Sequence, residues 1–133
     1  DKDVNYVVKN IKKIVEEIKK ERPYTEIYVE SLYPVNNTEN EKIDKNMVKD
    51  RKNSDIKEIN KNLKEYCKKN KYTYIDMYDE LVDKDGNLKL EYTKEGLHMS
   101  DEGYKVITAK LKKVLKIKWK AVKETLLFLF TFI

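Results

Sequence analysis

Apolar residues open the chain at a helical period. Val4, Val7, Val8, Ile11, Ile14, Val15 and Ile18 fall on one stripe, with lysines and glutamates between them. Asp3 stands where an N-cap belongs and Pro23 closes the pattern, so the spacing predicts a helix from Val4. The period then changes. Ile27-Tyr28-Val29-Glu30-Ser31-Leu32-Tyr33 is β-branched and aromatic and ends at Pro34, which predicts a strand covered on both faces, as in a parallel sheet. Val35 to Asn53 is polar and Asn-rich, with Ile43, Met47 and Val48 scattered through it. It reads as a long loop with one helical turn, and loops of this length in compact domains are often functional.

Helical spacing returns with Ile56, Ile59, Leu63, Tyr66 and Cys67. Ser54 or Asp55 is the expected cap, and Asp55 with Glu58 has capping-box spacing. Tyr72-Thr73-Tyr74-Ile75-Asp76-Met77 predicts a second strand, followed by a short helical turn at Tyr78, Leu81 and Val82 and a turn at Asp83–Asn87. That turn superficially resembles a calcium loop. Its glycine comes too early, and no Glu closes the twelve-residue pattern. A last helix starts near Ser100, with Asp101 and Glu102 at the positive end of its dipole. Tyr104, Ile107, Leu111 and Val114 are its expected inner face, with Trp119 and Val122 in its extension.

Helix, strand, helix, strand, helix is the order of a layered α/β fold with a small parallel sheet. Two strands make a poor sheet by themselves, so further strands are expected upstream of Asp1. Residues 1–118 read as one unit, and 119–133 as an apolar C-terminal tail of unassigned role. The run Leu126 to Ile133 is too short to cross a bilayer, which needs about 20 residues.

Charge changes this picture little. Charged residues make up 40% of the chain and the net charge is +5, but acids and bases alternate throughout, as on solvated helix faces. Lysine greatly outnumbers arginine, which suits bidentate reading of bases or phosphates poorly, and no nucleic-acid partner is expected. The single cysteine, Cys67, allows neither an internal disulfide nor a cysteine-based zinc site, and on the helix stripe it reads as core.

The candidate chemistry lies in Tyr92-Thr93-Lys94-Glu95-Gly96-Leu97-His98-Met99-Ser100-Asp101-Glu102-Gly103-Tyr104, which holds the only histidine. His98 falls in a loop after the last strand, where functional residues gather in α/β folds. Glu95, three residues earlier, is close enough to orient an imidazole, and Gly96 and Gly103 permit tight turns. Glu-x-x-His on a helix also ligates metals. Gly96 interrupts the helix, however, and no second such motif occurs, so no metal and no cofactor is expected.

The block Glu95-Gly96-Leu97-His98-Met99-Ser100, followed by Glu102-Gly103-Tyr104, resembles the last conserved block of SGNH/GDSL serine ester hydrolases, Asp-Gly-x-His-x-(Ser/Asn)-x-x-Gly-Tyr. Upstream, Ile27 to Asn36 is similar to the family's strand ending near Pro-Val-Asn. Ile59-Asn60, Leu63, Tyr74 to Tyr78, Asp85-Gly86 and Leu88 keep a similar rhythm. The resemblance runs from Val4 to Leu115. It implies a partial flavodoxin-like three-layer fold, with His98 as general base and Glu95 as the acid that orients it. It also implies an ester substrate, for which an acylated sugar, a lysophospholipid or a short-chain ester all fit. Two departures stand out. Glu95 replaces the usual Asp, and Ser31, Ser54 and Ser100 all lie outside a Gly-Asp-Ser context. The implied nucleophile and oxyanion hole are therefore expected upstream of Asp1, which leaves this chain inactive alone. Ser31 reads as a strand residue, Ser54 and Ser100 as helix caps, and Asp76 as a strand-ending hydrogen-bond acceptor. Two other readings remain open: a non-catalytic α/β binding module, and a membrane-associated protein docking through its apolar tail.

Overall fold

The first helix, α1 (Val4–Glu21), begins where the Asp3 carboxylate accepts the Tyr6 N–H at 2.7 Å. It stops ahead of Pro23, and the Lys19 ammonium donates to the carbonyls of Pro23 and Thr25 at 2.6 and 2.9 Å. The computed structural model describes residues 3–131, with side chains described through Lys116. Val8 and Val15 are buried, whereas Ile14 and Ile18 are exposed, so only part of the apolar stripe is covered.

Two strands, β1 (Tyr28–Glu30) and β2 (Thr73–Ile75), pair in parallel, with Val29 opposite Tyr74. Their parallel pairing agrees with the sequence, but both are shorter than the pattern predicts. One more backbone bond, Ser31 N–H to the Ile75 carbonyl at 2.9 Å, follows the ladder. Side chains then replace it. Ser31 Oγ accepts the Met77 N–H at 2.9 Å. The Asn60 amide accepts from Leu32 N–H at 2.7 Å and donates to its carbonyl at 2.9 Å. Pro34 has no N–H to continue with.

Between the strands lie α2 (Lys45–Val48) and α3 (Asn53–Asn70). The cap of α3 differs from expectation. Its N-cap is Lys52, which makes no side-chain cap bond, while Ser54 and Asp55 lie inside the first turn and bond to each other. Asn53 explains the earlier start. Its amide accepts the Val35 N–H at 2.9 Å and donates to the carbonyls of Val35 and Gly86 at 2.8 and 3.0 Å. These bonds tie α3 to the chain beyond β1.

After β2, the Asp76 carboxylate accepts the Tyr78 N–H at 3.1 Å and opens α4 (Tyr78–Leu81). Asp83 closes the predicted turn by accepting the N–H groups of Asp85 and Asn87, both at 2.9 Å. A 3₁₀ turn at Leu90–Tyr92 precedes the histidine loop, and α5 (Asp101–Thr131) follows it. Ser100 caps α5, its Oγ accepting the Gly103 N–H at 3.2 Å. Tyr104 is exposed rather than inward, because the inner face runs through buried Gly103 and Ile107 and half-buried Val106, Leu111 and Val114. Trp119, Val122 and the tail side chains lie outside the described residues. Among the described residues no helix is long and apolar enough to cross a membrane.

The sheet is sandwiched. On one face Val29 packs with Val8 and Val15 of α1 and with Ile59, Leu63 and Cys67 of α3. Burial pushes the Cys67 thiol above its ordinary pKa, as expected of a core residue. On the other face Ile75 packs with Met77, Leu81, Leu88, Met99 and Ile107. A third cluster of Val35, Val48, Ile56 and Tyr78, with Ile43 and Leu97 against it, underlies the histidine loop.

Candidate active site

The chain leaving β1 builds the platform for His98. Val35 and Asn36 are buried and extended past the carboxyl end of the strand. The Asn36 amide donates to the Leu88 carbonyl at 2.7 Å, and its oxygen accepts both the N–H and the hydroxyl of Thr38, at 3.1 and 2.7 Å. Its backbone N–H donates to the Gly96 carbonyl at 2.8 Å, and the Asp44 N–H donates to the Glu95 carbonyl at 2.9 Å. The histidine loop is thereby fastened to the carboxyl-end side of the sheet.

Gly96 makes this contact possible. Its φ is +105°, and a Cβ there would stand 2.5 Å from the Asn36 carbonyl oxygen and 2.8 Å from Val48 Cγ2. Gly103 serves a similar close approach, since a Cβ would lie 2.6 Å from the Tyr92 carbonyl oxygen. Thr93 and Met99 form an antiparallel bridge across the base of the loop.

Within the loop, Glu95 turns back on its own chain. Its Oε1 accepts the His98 backbone N–H at 2.9 Å and lies 2.6 Å from His98 Nδ1. The extra methylene relative to Asp therefore does not prevent the contact, because the carboxylate also anchors to the backbone it must reach. Burial pushes the Glu95 carboxyl up, but hydrogen bonds from the His98 N–H and ring, the His98 charge and the Leu97 N–H outweigh it and hold it below its usual range. The Glu95 side chain is 20% exposed and that of His98 59%, so the acid is shielded while the imidazole is open to solvent.

This pair can hold one imidazole nitrogen and present the other to a reacting group. The serines are placed differently. Ser31 is buried at the end of β1 and bound to Met77, Ser54 is on α3, and Ser100 bonds the Glu91 carbonyl at 2.6 Å while capping α5. Asp76 is spent on the Tyr78 N–H. The sequence pattern did not single out Thr93 or Asp44, and Asn36 entered only through the Pro-Val-Asn likeness. Their contributions run through backbone contacts that leave no periodic signal. Among the described residues no group of three or more His, Cys, Asp or Glu could hold a metal ion.

Scaffold and loop define a layered α/β domain with an acid–histidine pair beyond the carboxyl end of its parallel strands. The sequence profile of the GDSL-like Lipase/Acylhydrolase family matches residues 1–106, and the chain belongs to that family. No curated protein matches. Among solved structures, it is similar to a protein from Streptococcus pneumonia described as a candidate platelet activating factor. That pair is 34% identical with a TM-score of 0.75, over 84% of this chain and 51% of the other. A candidate acylhydrolase from Bacteroides fragilis (24% identity, TM-score 0.72) is covered over 54% of its length by 89% of this chain. A GDSL-like lipase from Bacteroides thetaiotaomicron (24%, 0.69) is covered over 54% by 87%. These last two share the fold. The chain spans about half the length of these three solved structures.

Proposed function

We propose that this chain supplies the base and its orienting acid to a serine ester hydrolase whose nucleophile and oxyanion hole lie in a segment outside these residues. The observation that carries this reading is the contact of Glu95 Oε1 with His98 Nδ1 at 2.6 Å, in a loop fastened beyond the end of β1. A carboxylate on Nδ1 favours the proton there and leaves Nε2 as the basic nitrogen. Nε2 takes the proton from a serine hydroxyl as its oxygen attacks the ester carbonyl, and Glu95 stabilises the imidazolium. The proton then passes to the departing alkoxide, giving the alcohol and an acyl-enzyme. Water repeats the sequence in the second half-reaction and releases the acid.

The topology supports a place for that segment. Both α1 and α3 cover the Val29 face of the sheet, and α3 connects β1 to β2. Crossovers are right-handed almost without exception. A parallel strand leading into α1 on that same face therefore belongs on the side of β1 away from β2. A serine at the carboxyl end of such a strand is on the same rim as the histidine loop.

The test is esterase turnover by a protein extended upstream to include the serine-bearing segment. His98→Ala should lower kcat by about three to five orders of magnitude, and Glu95→Gln by less. An extended protein whose turnover survives His98→Ala, or turnover of esters by this chain alone, would overturn the assignment.

A further inference from the structure

Thr93 is buried completely, yet its hydroxyl is engaged twice, both times inside the histidine loop. It donates to the His98 carbonyl at 2.9 Å and accepts the Gly96 N–H at 2.8 Å. Together with the Glu95 carboxylate on the His98 N–H, at 2.9 Å, this fixes both peptide groups of residue 98. The Lys94 N–H shares the same carbonyl at 2.8 Å. With both flanking peptides held, the direction of the His98 Cα–Cβ bond is set, and only the side-chain torsions remain to bring Nδ1 to Glu95.

We infer that Thr93 is a positioning residue, whose hydroxyl holds the Glu95–His98 loop in the one shape that places the carboxylate on Nδ1. The inference rests on the proposed role of His98, because a held tautomer matters to function only if His98 is a base. Thr93 acts through the loop and need not touch substrate. Burial alone does not account for its chemistry: a valine of the same shape would fill the space equally well. Valine would leave the Gly96 N–H without this acceptor and the His98 carbonyl with Lys94 alone.

The chain contains one histidine, so the ring nitrogens can be read by ¹⁵N NMR without assignment ambiguity. In the neutral form, the wild-type ring should carry its proton on Nδ1 by roughly tenfold or more, the preference expected from a hydrogen bond to a charged acceptor. Thr93→Val should shift the ring toward the Nε2–H form that a free histidine side chain favours. Thr93→Ser, which keeps the hydroxyl, should restore the wild-type pattern. Val15→Ala, a core change in the α1–α3 cluster away from the loop, controls for lost stability and should leave the tautomer unchanged. If Thr93→Val folds and keeps the wild-type tautomer, or if Val15→Ala shifts it as much, the inference is wrong. If Thr93→Val fails to fold, Thr93→Ser and Thr93→Ala decide: equal tautomer patterns in those two would overturn it. A shifted tautomer in a protein whose extended form hydrolyses no ester would instead sustain this inference and sink the proposed function.

Discussion

The two halves of this molecule are held together by different physics. Around α1, α3 and the Val29 face of the sheet, cohesion comes from apolar side chains meeting at helical and strand periods. Around His98, the small cluster of Val35, Val48, Ile56 and Tyr78 is supplemented by side chains bonded to backbone: Asn36 to Leu88, Asn53 to Val35 and Gly86, Lys42 to Leu90, and Thr93 to Gly96 and His98. An apolar core tolerates repacking if volume is kept. A lattice of directed bonds tolerates little, since each partner removed strands another. The first half can therefore drift in sequence while holding the sheet, and the second must keep particular residues to hold a ring within hydrogen-bond reach of a carboxylate.

The largest test of this contrast is Leu63→Ala. Leu63 of α3 is wholly buried in the cluster with α1 and the sheet. Its truncation should cost about 2–5 kcal/mol, read from urea unfolding followed by circular dichroism. The histidine loop makes no side-chain bond to that cluster, so molecules that remain folded should keep the Nδ1-protonated tautomer. A tautomer that changes in step with stability would show that the two halves are one unit.

Gly96→Ala probes the other side and should cost less, about 1–3 kcal/mol, from positive φ and from the Cβ against the Asn36 carbonyl. Its effect should be local. The Asn36–Gly96 and Asp44–Glu95 backbone bonds should open, and the amides of Asn36 and Asp44 should exchange with solvent faster than in the wild type. Unchanged exchange at those two amides would mean that the loop absorbs the Cβ without separating from its platform.

The contrast also explains what could be read in advance. Apolar periodicity located α1, α3, both strands and, in α5, the inward Ile107, Leu111 and Val114 but not the exposed Tyr104, because burial imposes that period. It overstated what is buried. Ile14 and Ile18 continue the α1 stripe past the surface that α3 and the sheet cover, and they stay exposed. It overstated strand length too, since Ser31 and Asn60 side chains take over from the ladder. The helix cap went astray for a related reason: Asn53 is used for tertiary bonds rather than local capping. In the site, His98 and Glu95 were legible from a motif with characteristic spacing. Thr93 was not, because a buried hydroxyl bonded within its own loop looks in sequence like any other threonine. The asparagines from Val35 to Asn53 read as loop polarity, whereas Asn36 and Asn53 are internal braces, as is Asn60 of α3.

The smallest expected effect separates the two kinds of polar contact on the surface. Glu95 and Glu80 both have carboxyls held below their usual value. For Glu80 the leading cause is the hydrogen bond from the Lys110 ammonium, an exposed pair at 2.9 Å. For Glu95, burial acts in the opposite direction and is outweighed by bonds within the histidine loop. A carboxyl depressed in the folded state contributes stability that is fully present above its unfolded pKa, near the ordinary 4.5. That contribution is lost as pH falls through the folded value. Wild type should therefore exceed both Glu95→Gln and Glu80→Gln in urea midpoint above about pH 5, and each difference should shrink as pH drops below the ordinary carboxylate range. Salt should then divide them. In about 0.5 M salt the screening length is only a few Å, so the exposed Glu80–Lys110 difference, within about 0.5 kcal/mol to begin with, should vanish. The Glu95 difference should persist, because its partners include the His98 backbone N–H in a shielded turn. Equal loss of both differences with salt would show that Glu95 is held by charge alone, and that the loop's directed bonds do not set the acid's position.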